Sequence, residues 1–204
     1  MPNPYAYFDC LSISQRLEDN MGNIARSELH LFSYLACLLS LYKNHPVADW
    51  EYGFAVTQQG HPFSPDIDEA LGVLFQIGHL VRANSYLKTS MGGVNEYNIL
   101  KSLQINAERE PFLDGACASL LALPVGTIRH ALSQEPDIRN AVSLSQSRKL
   151  LTDSSLDMLY DQFATLSKAI GVDVDDLMVP SVVWLTYLSQ IDEVWIRGNQ
   201  CRWH

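Results

Sequence analysis

The chain has 204 residues, 47% of them apolar, and a formal net charge of −9, which allows one well-packed domain or two small ones. No apolar run approaches the roughly 20 residues of a membrane span, and Met1-Pro2-Asn3-Pro4-Tyr5 has neither the basic nor the apolar segment of a signal peptide, so a soluble, cytoplasmic protein is expected. The acidic balance opposes non-specific adhesion to nucleic acid.

Residues 1–8 hold two prolines and are expected to form an extended arm or to stay mobile. A short first helix is predicted over residues 10–20, broken at Asn20-Met21-Gly22-Asn23. Residues 27–43 are apolar over most of a helical circumference, the pattern of a central core helix, with Ser27 as N-cap and Asn44-His45-Pro46 as stop. Residues 50–57 alternate as a strand. Ser64 then caps a helix that has Pro65 at its first position and Asp66, Asp68 and Glu69 at the positive end of its dipole, and Gly78 ends it. Residues 80–87 read as a strand, and Met91-Gly92-Gly93-Val94 as the turn into a second strand ending near Ile99. Helix, strand, glycine turn and strand, with residues 50–57 completing a three-stranded sheet, is the order of a winged helix. A linker helix over residues 100–109 leads to a module boundary at Glu108-Arg109-Glu110-Pro111.

The second half is helical by pattern. Residues 112–123 are small and apolar, Pro124 interrupts them, and a helix restarts over residues 127–133. A more polar helix is predicted over residues 137–150. Thr152 or Asp153 caps an amphipathic helix that ends at Gly171, and Pro180 opens the last helix, followed by a loose tail over residues 198–204. The expected fold is mainly α with a small antiparallel β wing: a winged-helix-like module with N-terminal helices over residues 1–109 and a helical module over residues 110–204.

Candidates for chemistry are few. The histidines at positions 30, 45, 61, 79, 130 and 204 are scattered, without HxxxH or HExxH spacing. Met91-Gly92-Gly93 lacks the Gly-Lys-Ser/Thr of a phosphate loop, no GxSxG is present, and Asp173-Val174-Asp175-Asp176 lacks the glycine and terminal glutamate of a calcium loop. Cys10, Cys37, Cys117 and Cys201 have no zinc spacing and read as reduced thiols. No catalytic, cofactor-binding or metal-binding residues are therefore assigned, and the chain is expected not to be an enzyme.

Charge decides how the winged helix is read. Asp66, Asp68 and Glu69 sit where a recognition helix would need Arg, Lys, Asn or Gln, so insertion into a major groove is disfavoured. Arg82 and Lys88 on the wing remain as candidate nucleic-acid contacts, with ordinary solvated strand residues as the competing role. Residues 153–196 carry eight acids against one base, Lys168, which suits a basic partner surface.

The helix Leu29-His30-Leu31-Phe32-Ser33-Tyr34-Leu35-Ala36-Cys37-Leu38-Leu39, the segment Trp50-Glu51-Tyr52-Gly53-Phe54, the Pro62-Phe63-Ser64 cap and the stretch from Phe112-Leu113-Asp114-Gly115-Ala116 to Leu123-Pro124-Val125-Gly126 together resemble the middle components of bacterial ABC-three-component systems, including the Lamassu type of anti-phage defence. The resemblance implies a small non-enzymatic adaptor that joins an SMC-like ATPase, a sensor of aberrant DNA ends, to an effector, commonly a nuclease, and restrains that effector. It implies contact with DNA only through the complex, no cofactor and no membrane. Trp184, Trp195 and Trp203 are candidate interface anchors, with burial in the core as the competing role for Trp184. The alternative function is a winged-helix DNA-binding transcription regulator or an antitoxin-like protein.

Overall fold

The computed structural model describes residues 1–144, 146–171 and 174–200, with side chains described for all of these except 153–155 and 192–200. The fold is mainly helical with two small antiparallel sheets. The first helix, α1 (Pro4–Met21), begins six residues earlier than its apolar spacing suggests. The reason is local: the Asn3 side chain accepts from the backbone N–H groups of Tyr5 and Ala6, and Pro4 takes the first helical position. The expected arm is thus the first turn of a core helix, and Ala6 and Phe8 are fully buried.

Helix α2 (Arg26–Tyr42) is buried at every position from Glu28 to Tyr42, as its all-round apolarity predicts. Its N-cap is Ala25 rather than Ser27; the Glu28 carboxylate accepts from the Ala25 N–H at 2.6 Å. A 3₁₀ turn, Val47–Trp50, replaces the start of the predicted 50–57 strand, and only β1 (Ala55–Val56) pairs. The alternation of Trp50, Tyr52 and Phe54 is real, since all three are buried. It serves side-chain packing instead of a ladder: Trp50 and Tyr52 lie beside Arg109, and Phe54 packs on Tyr34 and Tyr52. Strand β1 lies between β2 (Pro62–Phe63) and β5 (Arg148–Lys149), in a sheet separate from the hairpin.

Helix α3 (Pro65–Gln76) starts at Ser64 and is followed by Gly78 at φ 75°, as predicted. Ser64 nevertheless makes no side-chain cap: its N–H donates to His30 Nδ1 at 3.2 Å and its hydroxyl has no partner. The hairpin joins β3 (Leu80–Ala83) to β4 (Tyr86–Thr89) across Asn84-Ser85, with Asn84 at φ 59°. The glycine pair lies beyond it, in the first turn of α4 (Met91–Lys101), where a second strand was expected. Ser90 decides this, because its hydroxyl accepts from the Gly93 N–H at 3.2 Å and caps the helix.

A one-turn helix α5 (Gln104–Ala107) leads to α6 (Glu110–Ala118), and a 3₁₀ turn (Ser119–Leu121) follows. Then come α7 (Val125–Ser133), α8 (Pro136–Ser143), α9 (Asp153–Ile170) and α10 (Met178–Gln200). The helix predicted over residues 137–150 stops at Ser143, because Arg148 and Lys149 pair with β1. Helix α10 continues through residues 198–200 of the predicted tail; the rest of that tail lies outside the described residues.

Helix α6 packs on α1 and α2, and α10 packs on α6, α7 and α9. One buried apolar cluster includes residues on both sides of position 109. Gly115 permits the approach of α6 to the start of α10: a Cβ there would lie 2.5 Å from Leu177 Cβ. Among the described residues, no single helix is long and apolar enough to cross a membrane.

Candidate docking site

Helix α10 carries two apolar stripes. Trp184, Leu185 and Leu188 face inward and are buried, whereas Val179, Val183 and Tyr187, four residues apart, remain exposed. Helix α9 runs beside it. The Trp184 Nε1–H donates to Gln162 Oε1 at 3.0 Å. Gln162 lies about two turns before the end of α9 and Trp184 about two turns into α10, so the pair forms an antiparallel hairpin.

Between these helices lies an apolar groove of about 400 Å³. Its floor is Leu166 and Trp184, the latter packed edge-on against Phe163 with ring centroids 5.4 Å apart. Its rims are Met158 on one side and Val183 with Tyr187 on the other, exposed by 53%, 41% and 53%. Asp161 is also on the rim, and Asp157 is exposed one turn before it. A continuous apolar strip with water-accessible rims and an acidic border can bury an apolar partner face.

Trp184, a candidate anchor, is placed in this groove, but as its buried floor at 3% exposure. Trp195 belongs to the backbone of α10, with its side chain outside those described, and Trp203 lies outside the described residues. From the sequence, Val183 and Tyr187 read only as apolar positions of the last helix, and Met158 carries no reading. The signal was present in the spacing of Val179, Val183 and Tyr187, a stripe that a helix with Trp184 and Leu188 already facing inward does not need for its core.

The β3–β4 hairpin does not bring its two cations together. Val81 pairs with Lys88 and Arg82 with Leu87, so Arg82 and Lys88 lie on opposite faces of the hairpin. Arg82 is positioned over the Phe75 ring at 5.4 Å. The exposed side of α3 consists of Pro65, Glu69, Gly72 and Gln76, and Asp68 is held by Arg26.

A second cavity, about 230 Å³, opens beside Trp50, Phe112 and Arg109. The Arg109 guanidinium there commits three of its five N–H donors, two to Asp9 and one to the Trp50 carbonyl oxygen. The buried thiols of Cys10, Cys37 and Cys117 are free, and burial raises the pKa of each. Among the described residues, no group of three or more His, Cys, Asp or Glu side chains is placed to hold a metal ion. Comparison with family models, with curated proteins and with solved structures returns no match to this chain.

Proposed function

We propose that this chain is a non-enzymatic adaptor subunit that works by docking other proteins. The observation that carries the reading is the exposed apolar groove between α9 and α10, bordered by Asp157 and Asp161. The resemblance to the middle components of ABC-three-component systems supplies the partners: an SMC-like ATPase that senses DNA, and an effector, commonly a nuclease, that the adaptor restrains. On this reading the complex is cytoplasmic and DNA is reached through the ATPase.

The N-terminal part is read as winged-helix-like. What supports this is the order α1, α2 and, after β1 and β2, α3, β3, β4, with Ile24, between α1 and α2, bridged to Leu87 of β4. The same order favours the second reading, a DNA-binding regulator or antitoxin-like protein. Against that reading stand the acidic and neutral exposed side of α3 and the separation of Arg82 from Lys88.

Co-expression with the proteins encoded beside it separates the two. The adaptor reading expects a tagged chain to retain an ATPase and an effector through size-exclusion chromatography. Nanomolar, salt-dependent binding of the isolated chain to one defined duplex would establish the regulator instead.

A further inference from the structure

We infer that the α9–α10 groove receives one amphipathic helix of a partner protein, with apolar residues at i, i+3, i+4 and i+7 and lysine or arginine along its flanks. The inference rests on the adaptor reading and names the partner chemistry that the reading leaves open.

Shape selects a helix. From Met158 to Ala169 the groove follows α9 for about 16 Å, roughly three turns of a partner helix. Its rims are set by side chains about one turn apart on each wall, Met158 and Asp161 on α9 and Val183 and Tyr187 on α10. Such spacing receives side chains that repeat every three or four residues, whereas a strand would offer one on each side every two. The floor has no open polar demand, because the Trp184 indole N–H is satisfied by Gln162. An apolar ridge can therefore enter without stranding a donor.

Charge selects the flanks. Asp157 and Asp161 are exposed near the Met158 end, whereas Lys168 is the exposed base near the end of α9. Flanking cations on the incoming helix would face Asp161 on the rim and Asp157 one turn before it. A second copy of this chain fits poorly, since pairing two such surfaces brings the same acids together in a protein of net charge −9.

The test uses the full chain and two fluorescently labelled synthetic peptides of about 18 residues, a length of about five turns. Both present leucine at i, i+3, i+4 and i+7; one has lysine and arginine flanks and its twin has glutamate flanks. Anisotropy titrations are expected to show the basic peptide binding at least about tenfold tighter, a difference of about 1.4 kcal/mol, and weakening as salt rises. Val183→Glu and Tyr187→Glu, at exposed rim positions, are expected to weaken it about tenfold or more with unchanged circular dichroism and melting temperature. General adhesion to an acidic protein would instead strengthen when a carboxylate is added. Equal binding of the two peptides, no binding, unaltered binding by both variants, or a dimer in sedimentation that Val183→Glu dissociates would each overturn the inference. The same variants in the co-expression experiment keep the two readings apart. If Val183→Glu and Tyr187→Glu still assemble with the ATPase and effector, the adaptor stands and the groove is not its contact. If the unaltered chain assembles with neither while the basic peptide seats in the groove, the groove stands and the adaptor reading falls.

Discussion

Arg109 holds Asp9 in a two-point ion pair across one hundred residues of sequence, Nε to Oδ1 at 3.0 Å and Nη2 to Oδ2 at 2.5 Å. The pair is buried and shares further partners. Tyr52 donates its hydroxyl to Asp9 Oδ2 at 2.6 Å, Arg109 Nη1 donates to the Trp50 carbonyl oxygen, and the guanidinium lies 3.8 Å from the centre of the Trp50 ring. Burial alone would lower the Arg109 pKa; the Asp9 carboxylate outweighs it and raises the pKa above the ordinary value. This contact ties α1 to the segment just before α6.

Removing one partner leaves a buried charge uncompensated, which costs about 3–5 kcal/mol. Arg109→Leu and Asp9→Leu are each expected to lose stability on that scale in urea unfolding. The double variant is expected to lose clearly less than the sum of the two. Additive losses would show that the pair is not a coupled unit.

Two buried groups give opposing pH dependences. Burial lowers the pKa of His30 from 6.5 to about 4, and burial raises that of Glu135 from 4.5 to about 7. The His30 contribution is complete above pH 6.5 and is lost as pH falls toward 4, because the unfolded chain takes up the proton first. The Glu135 contribution is complete below pH 4.5 and is lost as pH rises toward 7, because the folded chain keeps its proton longer. Each amounts to about 3 kcal/mol, so the two largely offset between pH 7 and 4.5. Glu135→Gln, which keeps an acceptor for the Ile138 N–H, is expected to make the protein lose stability as it is acidified. His30→Asn, which keeps an acceptor for the Ser64 N–H, is expected to do the reverse. Denaturation midpoints measured at intervals from pH 7 to pH 4.5 check both slopes; parallel curves for the three proteins would contradict the assignment.

Three glycines separate close approach from empty space. A Cβ on Gly93 would lie 2.4 Å from the His79 carbonyl oxygen, whereas one on Gly92 meets the His79 ring at 3.3 Å and one on Gly72 meets nothing within 4 Å. Gly93→Ala is expected to cost about 1–3 kcal/mol, the usual range for an overpacked site. Gly72→Ala, on the exposed side of α3, is expected to gain about 0.5–1 kcal/mol from helix propensity. Thermal melts of the two variants should move in opposite directions.

Local chemistry makes several elements legible in the sequence. The all-round apolarity of α2, the Ser64-Pro65 start of α3 and its glycine end, and the apolar period of α9 with Gly171 behind it are signals contained within one or two turns, and each helix forms where they lie. Gly92-Gly93 misled because a glycine pair suits both a hairpin turn and a crowded helix start. Only the nearness of the His79 carbonyl oxygen and the Ser90 cap distinguishes them.

The candidate site was legible only in part for a similar reason. Sequence marked Trp184 by its size and the C-terminal half by its acids, yet which side of α10 faces the core depends on where α6, α7 and α9 lie. By itself the sequence determined that this is a helix-rich chain with a buried central helix and an acidic C-terminal half, because propensity, capping and apolar period act over a few residues. Tertiary packing alone decided that Trp184 is a floor while Val183, Tyr187 and Met158 are rims, that Arg82 and Lys88 point apart, and that Asp9 meets Arg109. Those relations join residues from different elements, and burial in a shared core, a condition no local stretch carries, is what sets them.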